Sequence, residues 1–144
     1  MKNKFEYFQK SGYEQMDFER ITEMLKKSYW TPDIKKSEVI QGAQNSALVV
    51  GTFTSDHKQI AYARVISDKT RFAYILDVIV DENYRKQGIG QKIMNYLLNH
   101  PELKYVYQWL LITNDAHGVY QKVGFAPVSR PMDWMEIRNT RPVR

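Results

Sequence analysis

The 144-residue chain contains no cysteine. That excludes a disulfide framework, a thiol nucleophile and a zinc site built on thiolates. Only three histidines occur, and none stands with Asp or Glu at metal-ligand spacing, so no metal is expected. No apolar run approaches the ~18 residues of a membrane span. The opening Met1-Lys-Asn-Lys-Phe-Glu breaks into charged residues before any apolar region forms and does not read as a signal peptide. The expectation is a cytoplasmic protein with no membrane contact. Low-complexity stretches, solenoid-spaced repeats and Pro/Gly/Ser linkers are also lacking, which predicts one domain over residues 1–144. Acidic residues are outnumbered, 16 against 21 Lys and Arg, and the net charge of +5 favours an anionic ligand without naming it.

What is present is the composition of a folded globular protein, 43% hydrophobic and 26% charged. Phe5 to Phe8 reads as a short strand. From Asp17, a suitable N-cap, Phe18, Ile21, Met24 and Leu25 fall on one helical face. Ser28-Tyr-Trp-Thr-Pro32 interrupts, and a second helical segment runs from Ser37 to Gln44. Ala47 to Phe53 and Ile60 to Ile66 form a hairpin pattern around Thr54 to Lys58. Phe72 to Val80 is the longest apolar run and suits an interior strand. After Gly88 and Gly90, residues Ile89, Ile93, Met94, Leu97 and Leu98 draw a helical stripe. Val106 to Ile112 reads as a strand, Ala116 to Val123 as a short helix, and Phe125 onward and Trp134 to Ile137 as one or two final strands. The order β-α-α-β-β-β-α-β-α-β predicts a mixed α/β sheet.

The chemistry concentrates in Val78-Ile-Val-Asp-Glu-Asn-Tyr-Arg-Lys-Gln-Gly-Ile-Gly-Gln-Lys92, where a buried strand feeds a basic, glycine-interrupted turn that opens a helix. Glycine lets backbone approach a ligand, and the first-turn N–H groups of a helix lack internal partners and favour negative charge. Such a turn suits phosphate. The spacing fits neither a P-loop nor a dinucleotide fingerprint, because Gly90 is followed by Gln91-Lys92-Ile93.

Arg85-x-x-Gly88-x-Gly90 after a long apolar strand resembles the acyl-CoA motif of the GNAT superfamily of N-acetyltransferases. A second block, Ala116-His-Gly-Val-Tyr-Gln-Lys-Val-Gly-Phe125, is similar to that family's later motif, Ala-x-x-hydrophobic-Tyr-x-Lys-x-Gly-Phe, at a compatible distance. The resemblance extends through the element order over nearly the whole chain. It implies a single-domain α/β fold with a largely antiparallel mixed sheet, flanking helices and a splayed central strand pair. It implies acetyl-CoA as co-substrate, with Arg85, Lys86, Gln87, Gly88, Ile89, Gly90 and Gln91 at the pyrophosphate. Val78, Ile79 and Val80 would hold the pantetheine arm, and Thr113, Asn114 and Tyr120 would complete the cofactor contacts. An amine attacks the thioester directly, so no cysteine is required.

In that chemistry Tyr120 matches the tyrosine that gives a proton or hydrogen bond to the departing sulfur, and a backbone N–H at Val78 is the expected oxyanion donor. Many family members carry a glutamate eleven residues before the Arg85 position; here Tyr74 stands there. Asp77, flanked two residues either way by Ile75 and Ile79, is the candidate base. Its equal alternative is a structural carboxylate accepting backbone or Arg hydrogen bonds, and a water relay is the third route. Thr113 replaces a usual asparagine, with Asn114 in a position to compensate. Tyr29, Trp30 and Tyr74 are the candidate walls of the acceptor site, with hydrophobic core as the alternative role for such aromatics. Trp109 to Gly118 together with Trp134-Met-Glu136 resembles a bacterial subgroup of small acetyltransferases. The acceptor amine is not specified, and a homodimer stays open. The rival readings are a CoA-binding sensor without turnover, suggested by the missing glutamate, and a basic nucleic-acid-binding domain, which the scattered charges disfavour.

Overall fold

The computed structural model describes residues 6–143. Five strands form one sheet in chain order: β1 (Tyr7–Ser11), β2 (Leu48–Thr54), β3 (Gln59–Ser67), β4 (Phe72–Val80) and β5 (Gln108–Leu110). The first four pair antiparallel and β5 runs parallel to β4, giving the mixed, largely antiparallel sheet expected. Helices α1 (Phe18–Lys26) and α2 (Lys36–Gln44) precede β2, α3 (Ile89–Leu98) follows β4, and α4 (His117–Gln121) follows β5. Phe5 lies outside the described residues, and the first strand begins at Tyr7.

Local sequence sets the boundaries. The Asp17 carboxylate accepts the Arg20 N–H and caps α1. Residues Thr54 to Lys58 close the β2–β3 hairpin with His57 at φ +69°. Two apolar layers sandwich the sheet. Ile21, Leu25, Val39 and Ala43 from α1 and α2 pack on Val49, Phe53, Tyr62 and Ile79. Ile89, Ile93, Met94 and Leu97 from α3 pack on Val50, Ala61, Ala63, Val65, Ala73 and Ile75 on the other face.

Two strand expectations are corrected. Val106 to Ile112 contributes only Gln108–Leu110 to the sheet; Val106 and Leu111, on either side of it, reach the α3-side core through their side chains without strand pairing. The final strands expected after Phe125 do not form. Residues 126–143 hold one short 3-10 turn, and Met132, Met135 and Ile137 lie more than nine-tenths exposed, with no apolar surface to drive pairing.

A third correction concerns the face of β4. Tyr62 pairs with Ile79 but Arg64 pairs with Leu76, so Asp77 and Val78 together oppose the single residue Ala63. This bulge reverses the alternation of side chains. Ile75 therefore enters the α3-side core and Ile79 the opposite one, instead of sharing a face with Asp77 between them.

The C-terminal end of β4 is tied to α1 by an ion pair. Arg20 Nη2 donates to Asp81 Oδ2 at 2.5 Å, and Arg20 Nε donates to the Gln59 carbonyl. Burial alone would raise the Asp81 pKa, but the Arg20 hydrogen bond, the Asn83 N–H and the charges of Arg20 and Lys58 outweigh it and hold the carboxyl below its ordinary 3.8. Asp81→Asn should lower the unfolding free energy by about 2 kcal/mol at pH 7 in urea denaturation. A depressed folded pKa adds stability above the unfolded value and loses it as pH falls through the folded one. The gap between wild type and variant should accordingly narrow as pH drops below 3.8.

Candidate active site

β4 and β5 pair only at Phe72↔Gln108, Ala73↔Trp109 and Tyr74↔Leu110. Beyond Tyr74, residues Ile75 to Val80 have no strand on that side among the described residues, so the two strands fork. The bulge lies inside the fork. The Asp81 N–H donates to the Ile60 carbonyl on β3, and strand alternation therefore turns the polar groups of Val80 away from β3 into the opening. The Val80 carbonyl is met there by Arg85 Nε at 3.2 Å.

The fork ends in the glycine turn. Lys86 and Gly88 both adopt left-handed backbone, φ +66° and +77°, which brings successive N–H groups round to the start of α3. Gly88 is the N-cap and offers no capping side chain, so the first-turn N–H groups of Ile89, Gly90 and Gln91 lack an internal partner. Ile89 is 2% exposed and plugs the helix start into the core. A Cβ added at Gly90 would meet nothing within 4 Å, so open space lies in front of that backbone. Gln87 is held from behind, its side-chain oxygen accepting the Tyr7 hydroxyl at 2.8 Å. A cavity of about 450 Å³ reaches Arg85 from the α1 side, its charged walls being Arg20, Lys26, Lys27 and Arg85 with Glu23, Asp81 and Glu82, and there Arg20 pairs with Glu23 and Asp81 and Lys27 with Glu82. Free helix-start N–H groups beside cations make an anion site.

α4 flanks the other side of the opening. Tyr120 is half-buried, meets Phe125 edge-on at 6.1 Å and packs against the α3-side core. Burial pushes its phenol above the usual 10.0, and the nearby charge of Asp115 and the Tyr29 phenol push the same way. The group thus carries its proton at any physiological pH. Thr113 Oγ1 accepts the Ala116 N–H at 3.0 Å and shapes the entry to α4.

The aromatic pair predicted in the α1–α2 connection reaches across. Tyr29 donates its hydroxyl to Asn114 Oδ1, and Trp30 meets the Tyr29 ring edge-on at 5.0 Å. Both rings are exposed, at 58% and 40%, so neither is core. Tyr74 occupies the crotch of the fork as the last β4 residue paired with β5. The structure therefore gathers Val78, Val80, the glycine turn, Tyr74, Tyr120, Asn114 and Tyr29 around one opening.

Asp77 follows the structural course. Its carboxylate accepts from Arg64 Nε at 2.7 Å, with the two side chains 13% and 18% exposed, on the α2 side of the sheet. Arg64 is the residue that sequence reasoning missed. Its signal was a lone cation inside the apolar run Ile60 to Ile66. Asp115, beside Tyr120, and Tyr7, behind Gln87, were also missed and carry no local signal. Among the described residues no group of three or more His, Cys, Asp or Glu converges as a metal site, and no helix is long and apolar enough to cross a membrane.

The comparisons agree with this geometry. The family model of the acetyltransferase (GNAT) domain matches residues 46–127. A putative acetyltransferase of the GNAT family from Xanthomonas campestris pv. campestris is 33% identical, with 93% of this chain and 94% of that chain covered at a TM-score of 0.86. A probable acetyltransferase from meticillin-resistant Staphylococcus aureus shares the fold at 24% identity, with 92% and 100% covered and a TM-score of 0.71. A predicted acetyltransferase from Clostridium acetobutylicum, solved with acetyl-CoA, shares it at 17% identity, with 94% and 96% covered and a TM-score of 0.66. No curated protein matches the chain. With the family model spanning more than half of its length and a relative matching it nearly end to end, the chain belongs to the GNAT family of acetyltransferases, which take their acetyl group from acetyl-CoA.

Proposed function

We propose that the protein transfers the acetyl group of acetyl-CoA directly to a primary amine bound at the fork. The observation that carries this reading is the unpaired half of β4, whose free backbone groups end at an uncapped, glycine-opened helix start. A pantetheine arm carries amide groups and can pair with that backbone as a missing strand would. Val78 and Val80 hold it, whereas Ile79, expected from the sequence to join them, is turned to Tyr62 of β3 and buried under α1 and α2; the backbone of Gln87 to Gln91 with Arg85 and Lys86 takes the pyrophosphate. Thr113 and Asn114 line the far side of the cofactor. The 17%-identical neighbour solved with acetyl-CoA shares this fold.

The reaction runs in one displacement. The amine lone pair attacks the thioester carbonyl carbon, and the carbonyl oxygen gains charge that the Val78 N–H stabilises. The C–S bond then breaks, and the sulfur takes a proton from the Tyr120 hydroxyl, which burial keeps protonated. The amine releases its proton to water. A water relay serves as base here because the Asp77 carboxylate is already committed to Arg64. Tyr29, Trp30 and Tyr74 wall the acceptor, and their rings suit an amine carried on an apolar or aromatic body.

Calorimetric titration of acetyl-CoA tests the reading. Wild type should bind saturably. Gly90→Glu should fold normally, since a side chain there enters open space, yet lose affinity on the order of tenfold or more by placing a carboxylate where phosphate sits. Wild type that fails to bind would sink the proposal.

Thiol release measured over an amine panel tests the donor. Tyr120→Phe should lower kcat on the order of 100-fold with little change in KM for acetyl-CoA. Because the Tyr120 pKa lies above its usual 10.0, wild-type kcat should show no alkaline fall from loss of this proton below pH 10. Unchanged turnover in the variant would remove Tyr120 from the mechanism.

A further inference from the structure

We propose that Arg64 and Asp77 form a clamp that sets the bulge in β4 and so aims the Val78 N–H into the fork, which makes both of them positioning residues for acetyl transfer. The inference rests on the acetyl-CoA reading above.

Asp77 stands at φ +58°, left-handed backbone that a residue with a Cβ adopts reluctantly. Glycine takes that conformation most readily, and among residues with a Cβ asparagine and aspartate tolerate it best. The chain instead places a carboxylate there and closes it on Arg64 Nε at 2.7 Å. Arg64 is anchored in turn from α2, donating through Nη1 to Ser46 Oγ at 3.3 Å and to the Gly42 carbonyl at 3.4 Å. Gly42 makes room for this: a Cβ there would stand 3.2 Å from Arg64 Cζ. Helix α2, strand β3 and the bulge are thus joined through one guanidinium.

Stability is a weak reason to keep such a pair. Largely buried ions lose hydration, and an apolar pair of similar volume often does as well or better. The register does not need it either, since β3 and β4 pair on both sides of the bulge, from Ala61↔Val80 to Ser67↔Ala73. What the ladder leaves unset is the direction of the two residues opposite Ala63. Val78 follows Asp77 directly, so the torsion held at Asp77 decides where the Val78 N–H points. A donor aimed at a developing oxyanion is effective only when held before the charge forms. Ion-pair geometry supplies that hold from the face of the sheet that the cofactor does not occupy.

The test uses the full chain in amide nitrogen–proton spectra titrated with acetyl-CoA, with thiol release on an accepted amine as the second readout. In wild type the amides of Gly88, Ile89, Gly90 and Gln91 should shift, and so should Val78. In the double variant Asp77→Gly with Arg64→Met, which keeps a left-handed residue and leaves no buried charge, the glycine-turn amides should still shift. The Val78 response should shrink, and kcat should fall on the order of 10- to 100-fold with KM for acetyl-CoA little changed. Asp77→Asn accepts from Arg64 and tolerates the same backbone, so it should recover most of the rate and the Val78 shift. Glycine-turn amides silent in wild type would overturn the acetyl-CoA reading and the clamp with it. Glycine-turn amides that respond, while Val78 moves alike in wild type and the double variant or fails to move in wild type, would overturn the clamp alone. Loss of turnover in Asp77→Asn with the Val78 shift intact would also overturn it, assigning the carboxylate to proton transfer.

Discussion

One extra residue in β4 governs the rest of the molecule. Because Asp77 and Val78 share the single partner Ala63, the strand changes face partway along its length. The first half sends Ala73 and Ile75 into the α3-side core, and after the bulge Ile79 enters the core under α1 and α2. A strand that shifts in this way cannot keep a straight neighbour, and β5 stays with it for only three pairs. The remaining backbone of β4 is left with hydrogen-bonding capacity inside an otherwise packed protein. Such groups are costly unless something pairs with them. The capacity of the opening to pair with a ligand thus comes from the backbone, before any side chain is considered.

Both N-terminal helices report to this strand through ions. Arg20 ties α1 to Asp81 at its end, and Arg64 ties α2 to Asp77 at its middle. The connection between those helices carries Tyr29 and Trp30, and Tyr29 joins it to Asn114 beyond β5. On the other side Ile89 pins the glycine turn to the core, and Tyr120 leans on Phe125. In the proposed reading, cofactor and acceptor contacts come from separate layers that meet at the fork. The basic excess of the chain places Arg85 and Lys86 next to a helix start whose uncapped backbone favours negative charge.

Much of this was legible in the residues. The α1 stripe with its Asp17 cap, the β2–β3 hairpin, β4 and α3 all stand where periodicity and glycine placed them. The glycine turn was visible because its residues are consecutive and chemically distinctive. The bulge was not, because nothing in Ile75 to Ile79 marks a break in alternation; the left-handed backbone at Asp77 accompanies a contact with Arg64 that lies 13 positions away. For the same reason the role of Asp77 stayed divided until its partner on β3 was seen. Propensity also extended β5 and proposed strands in the tail, where side-chain burial or its lack decides the matter: Val106 and Leu111 pack without pairing, and Ile137 lies more than nine-tenths exposed and outside any strand. The bridge from Tyr29 to Asn114 joins residues 85 positions apart and leaves no trace in sequence.

The central claim is that acetyl-CoA supplies the strand that β4 lacks. Amide hydrogen exchange measured residue by residue, with and without saturating acetyl-CoA, addresses it directly. The account predicts slower exchange at Val78 and Val80 together with the glycine turn, and no change along the β1–β2 ladder. Protection confined to the glycine turn, with Val78 and Val80 exchanging as fast as in the free protein, would contradict it.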